Sequence, residues 1–104
     1  MLTEKDYCDY STNLSLWQLG CKFNPHYTKL TLYEAQRYLR EEKKLHITIF
    51  SQSQESWQYR ITKPHQRLED GLHGEDFSSF EEALSKGIKE AVKILKEKLN
   101  EKDI

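Results

Sequence analysis

Residues 45–62 read LHITIFSQSQESWQYRIT, and their alternation decides the fold. Leu45, Ile47 and Ile49 alternate with His46, Thr48 and Phe50, and Trp57, Tyr59 and Ile61 alternate with Gln58, Arg60 and Thr62. Period two, occurring twice, predicts a β-hairpin. Parity fixes its register. For the odd-numbered residues of both strands to share one face, paired positions must sum to an even number. Pairing Ile49 with Tyr59 and Ile47 with Ile61 does this and leaves a loop of three or five residues around Gln54. The turn holds no Asn-Gly or Gly-rich pair, which agrees with the longer loop.

On either side of the hairpin the period changes to that of a helix. Upstream, TLYEAQRYLREEKK (31–44) opens on Thr31 with Glu34 three residues later, a capping box. Leu32, Ala35 and Leu39 recur at helical spacing with Tyr38 beside them, and Lys43 and Lys44 suit the negative end of the helix dipole. Downstream, FSSFEEALSKGIKEAVKIL (77–95) carries a second box, Ser79 with Glu82. Phe80, Leu84, Ile88, Ala91, Leu95 and Leu99 run down one side, flanked by Val92. Gly87 sits beside this stripe. In an exposed helix glycine costs about 1 kcal/mol relative to alanine; here it lets the helix approach the sheet closely.

The remaining segments are less regular. In TEKDYCDYSTNLSLWQLGCKF (3–23), Ser11 or Thr12 caps a short helix carrying Leu14 and Trp17, with Leu16 and Leu19 as further candidates, stopped by Gly20. FNPHY is a loop, because the residue before Pro25 is pushed out of helical geometry. Pro64 ends the second strand, and the segment around Arg67–Glu69 reads either as a short third strand or as a loop. The expected fold is a single α+β domain over residues 1–104, in the order α-α-β-β-(β)-α. A small antiparallel sheet has helices packed on one face.

Composition bounds the function. The chain has 104 residues, 37% of them hydrophobic and 32% charged, with two Trp, six Tyr and four Phe. A small core that leans on aromatics leaves room for stabilisation by a second copy, as a homodimer. With a formal net charge of −1, the chain shows none of the basic excess usual in proteins that live on phosphate backbones. Cys8 and Cys21 form no CxxC pair and no disulfide framework. No apolar run approaches a membrane span, and the N-terminus lacks a signal-peptide core. A soluble cytoplasmic protein with reduced thiols, and no contact with the membrane, is the expectation.

Chemistry-bearing patterns are sparse. His26, His46, His65 and His73 lack the short spacing that lets one element present two zinc ligands. His65 and His73, with Asp70, Glu75 and Asp76, read as solvated loop residues before they read as a metal site. No P-loop, GxGxxG or GxSxG motif occurs, so neither a cofactor nor a catalytic residue is expected. The best candidate surface is the outer face of the hairpin: His46, Thr48, Phe50, Gln58, Arg60 and Thr62, followed by Lys63 and Arg67. The plainest reading is a solvated sheet face. An exposed aromatic there next suggests a docking surface for an unidentified protein partner. Third comes base stacking by a single-stranded nucleic acid on Phe50, with Arg60, Lys63 and Arg67 on its phosphates.

Taken together, TLYEAQRYLREEKKLHITI and FSSFEEALSKGIKEAVKIL, about thirty residues apart, resemble a group of small proteins of gut Bacteroidetes often associated with phage or other mobile elements. That group tends to show a YEAQ-type capped helix and then SSYEEAL followed by a small residue, glycine and an amphipathic tail. The likeness covers most of the chain after Thr28, and Gly20-Cys21 departs from the Gly-Phe step of the group. No activity attaches to these motifs, which are caps and core positions. The resemblance implies a fold and an intracellular bacterial setting, and the function expected is a non-enzymatic accessory or protein-interaction module.

Overall fold

The hairpin pairs as its alternation demands. In the computed structural model, which describes residues 2–53 and 55–102, β1 (His46–Ser53) and β2 (Ser56–Thr62) run antiparallel. Ile47 faces Ile61 and Ile49 faces Tyr59. Pairing continues past the expected loop to Ser51–Trp57 and Ser53–Ser56. An irregularity between Ser51 and Ser53 absorbs the change of parity, so a turn tighter than three residues coexists with a single apolar face. Gln54, around which the loop was expected, lies outside the described residues.

The third strand forms later than position 67–69. Residues Leu68–Asp70 make one turn of 3-10 helix, and β3 is Leu72–His73, pairing with Ile61 and Arg60 to give the order β1-β2-β3. The reason is the reversal after β2. Lys63 and Gln66 close a tight turn, the Gln66 N–H donating to the Lys63 carbonyl at 3.1 Å while His65 takes a positive φ of 68°. The chain comes back alongside β2 only at Gly71. A Cβ there would lie 2.7 Å from Thr62 Cγ2 and 2.9 Å from the Ile61 carbonyl.

Helix α1 spans Tyr10–Gln18, α2 Leu32–Glu42 and α3 Phe80–Lys102. The cap of α1 is Asp9, not Ser11 or Thr12: its carboxylate accepts from the Thr12 N–H at 2.8 Å. Asp is as good an N-cap as Ser, and Asp9 also meets Lys89 of α3 at 2.8 Å. Which side of α1 is buried differs too. Leu16 and Leu19 enter the core and Trp17 is 49% exposed. Gly20, at φ 108°, closes the helix with the Cys21 N–H on the Leu16 carbonyl and its own N–H on the Trp17 carbonyl. Buried Asn13 then accepts from the Leu30 N–H at 3.2 Å, tying the segment before α2 to α1.

Both capping residues expected further on are in place. Thr31 and Glu34 exchange bonds as a complete box. Ser79 Oγ accepts from the Glu82 N–H at 3.2 Å, while the Glu82 carboxylate takes the Ser78 hydroxyl instead of returning to Ser79. One buried cluster joins the layers: Leu16 of α1, Leu32, Ala35 and Leu39 of α2, Leu45, Ile47, Tyr59 and Ile61 of the hairpin, and Leu84, Ile88, Ala91 and Val92 of α3. Phe80 and Leu95 are half-buried against it, and the Leu99 side chain is outside the described part. Fully burying one such aliphatic side chain is worth about 1.5–3 kcal/mol. Gly87 faces Ile47 and Tyr59 directly. The architecture is α+β, a three-stranded antiparallel sheet with the odd-numbered face of its hairpin under the helices. Among the described residues no helix is long and apolar enough to cross a membrane.

Candidate interaction surface

With the odd-numbered side chains committed to the core, strand alternation turns the even-numbered ones to the other face. Cross-strand rows there are His46–Thr62, Thr48–Arg60 and Phe50–Gln58, and β3 adds His73 opposite Arg60. Arg60 is therefore the centre of the face. Its guanidinium lies over the Phe50 ring, 5.7 Å from the centroid, and donates from one terminal nitrogen to the Leu68 carbonyl at 3.1 Å. The turn of 3-10 helix after β2 is what brings that carbonyl within reach.

Arg60 is not satisfied by these contacts. Among the described residues its Nε is shielded from solvent without an acceptor, and none of the ion pairs involves it. A half-buried guanidinium with an unbonded donor is costly to hold in place. Around it, Thr48, Phe50 and Gln58 are half-buried, Thr62 is buried, and His46 and His73 are exposed. Gln58 also hydrogen-bonds Asp76.

The sequence candidates thus separate. Phe50 and Arg60 are brought into contact at the centre of the face. Lys63 and His46 mark its far end, where His46 pairs with Thr62. Arg67 is exposed on the returning loop and sits 3.6 Å from Glu69, with both side chains more than 70% exposed, an arrangement worth little in water. His73 joins the surface although the sequence reading placed it in a loop. Its strand is two residues long, too short for alternation to show.

Other reactive groups are held back. Cys8 is 1% exposed, and burial, helped by the neighbouring Asp9 charge, pushes its thiol up to about 12. Burial likewise raises Cys21. A thiol must ionise to act as a nucleophile, and both are biased against it. Among the described residues no group of three or more His, Cys, Asp or Glu side chains is placed to hold a metal ion. Shallow grooves lie elsewhere, and two of them are lined in part by α1. One, of about 390 Å³ between α1 and α3, is crossed by Asp9–Lys89 and by Lys96 donating to Ser15 Oγ at 2.7 Å. The other, of about 310 Å³, is lined by Trp17, Phe23 and Pro25 with Asn24 and His26.

No protein family, curated protein or solved structure matches this chain.

Proposed function

We propose that this protein is a non-enzymatic interaction module that engages a protein partner through the outer face of its sheet, around Arg60 and Phe50. The observation that carries the reading is the under-satisfied Arg60, aligned over an aromatic ring and in none of the ion pairs among the described residues. Arginine with an adjacent aromatic is the composition of an interface anchor. An acidic side chain or chain terminus of the partner supplies the missing acceptors, and two parallel bonds to a planar guanidinium give the contact its geometry. The two thiols, both biased toward the protonated form, support a reading without nucleophilic chemistry.

Nucleic-acid binding is the competing use of the same face, supported by exposed Lys63 and Arg67 beside it. A base stacking on Phe50 has to displace the guanidinium already lying over that ring. The test is capture from a lysate of the host organism by tagged wild-type and Arg60→Met protein, with and without nuclease. A partner retained by wild type after nuclease and lost by Arg60→Met supports the reading. Material that disappears with nuclease, or a partner that Arg60→Met retains unchanged, overturns it.

A further inference from the structure

β1 lies at one end of the sheet, and the directions of its backbone groups can be derived. Trp57 exchanges both backbone hydrogen bonds with Phe77, each at 2.8 Å, so odd-numbered residues of β2 direct their N–H and C=O toward the β3 side. Alternation then turns Gln58, Arg60 and Thr62 toward β1. Their partners Phe50, Thr48 and His46 carry the ladder, which leaves Ile47, Ile49 and Ser51 pointing their backbone groups out of the sheet. A second observation agrees: the Ile47 carbonyl accepts from Gln36 Nε2 of α2 at 2.7 Å, from outside the hairpin. Among the described side chains, Gln36 alone reaches this row.

Exposed edges are usually protected by charge, proline or brevity. β1 has eight residues, HITIFSQS, with no Lys, Arg, Asp, Glu or Pro, in a chain that is 32% charged. The irregularity between Ser51 and Ser53 guards only its far end. Ile49 is also the core-side residue at the middle of β1 that stays half-buried, while Ile47 is 5% exposed.

We propose that the occupant of this edge is a second copy of the chain, paired antiparallel through β1 about a twofold axis at Ile49. A twofold operation sets a strand antiparallel to itself, so one row of donors and acceptors meets its own complement. Centred at Ile49, that residue faces the partner's Ile49, and Ile47 faces the partner's Ser51. On the outer face Thr48 comes opposite the partner's Phe50, a β-branched residue against an aromatic. No like charges meet, because the strand carries none. Gln36 holds the Ile47 carbonyl in the monomer and gives way to the partner's Ser51 N–H. The pairing is independent of the Arg60 reading, since Arg60→Met leaves the edge row untouched.

The test combines mass measurement and register. Sedimentation of the full chain from low to high micromolar protein is compared with Ser51→Pro, which removes an outward N–H without touching the hairpin ladder. Circular dichroism checks that the variant folds. In a Cys21→Ser background, Ile49→Cys is oxidised gently. Residues directly opposite in a bonded antiparallel pair lie about 5.5 Å apart at Cα, within disulfide reach. The expected result is a wild-type dimer, a folded Ser51→Pro monomer and a crosslinked Ile49→Cys dimer. A wild type that is monomeric throughout, or a dimer that survives Ser51→Pro, overturns the proposal. Should Ser51→Pro not fold, the crosslink decides, and its absence overturns the proposal. An edge that instead takes up an extended peptide of another protein while the chain stays monomeric contradicts it equally.

Discussion

Replacing Arg60 by methionine separates a residue held for binding from one held for stability. The variant loses the bond to the Leu68 carbonyl and the contact with the Phe50 ring. A hydrogen bond to a charged group is worth about 1.5–3 kcal/mol, with the low end applying here because Leu68 is 46% exposed and its carbonyl can be rehydrated. An arginine over an aromatic adds about 0.5–1 kcal/mol at an exposed site. Against these losses, removing a shielded donor with no acceptor recovers about 1–3 kcal/mol. Methionine, though shorter, keeps an apolar stem beside Phe50 and offers a sulfur–aromatic contact in place of the guanidinium. The opposing effects cancel to within about 1 kcal/mol. Urea unfolding followed by tryptophan fluorescence checks this, with a nearly unchanged midpoint and slope expected. A loss above about 3 kcal/mol, the range for breaking a buried ion pair, would refute the claim that Arg60 has no ion-pair partner among the described residues.

Three further outcomes are expected. Gly87→Ala sets a helix-propensity gain of about 1 kcal/mol against overpacking of roughly 1–3 kcal/mol, because its Cβ would lie 2.9 Å from Ile47 Cγ2 and 3.2 Å from the Tyr59 ring. A net loss is predicted, seen as a melting point lower by a few degrees; a higher one would show that the helix is not seated on the sheet. Asp9, held at about 2 by its hydrogen bond and charge contact with Lys89, is depressed below its usual value of 3.8. Its contribution is complete above the usual value and lost as pH falls toward 2, so Asp9→Asn, which retains the cap, shows a shallower acid loss of stability than wild type. Thiol labelling under native conditions at alkaline pH modifies Cys21, whereas Cys8 reacts only when urea unfolds the chain; rapid native labelling of Cys8 contradicts its burial.

Most of the architecture was legible because it rests on periodicity and caps, which are local. The parity of residues 45–62 specified the partners of Ile47 and Ile49, and Thr31 with Glu34 marked the start of α2. What escaped depends on contacts distant in sequence. Asp9 displaces Ser11 and Thr12 as the cap because Lys89, eighty residues on, holds its carboxylate in place. Trp17 is turned outward because Leu16 and Leu19 are the residues that meet the core. β3 has only two residues, and its position follows from the close approach of Gly71 to Thr62. The candidate surface was half legible. Phe50 and Arg60 could be placed on one face by alternation, but the bond from Arg60 to the Leu68 carbonyl depends on the loop that returns beside it.

The most direct test of the interaction surface is hydrogen exchange on the protein alone and bound to its captured partner. Protection on binding is predicted across Gln58–Thr62 and Leu72–His73, centred on Arg60, with α1 and the buried face of α3 unchanged. Protection confined to α1, or to the Trp17–Pro25 groove, would contradict the placement of the partner on the outer face of the sheet.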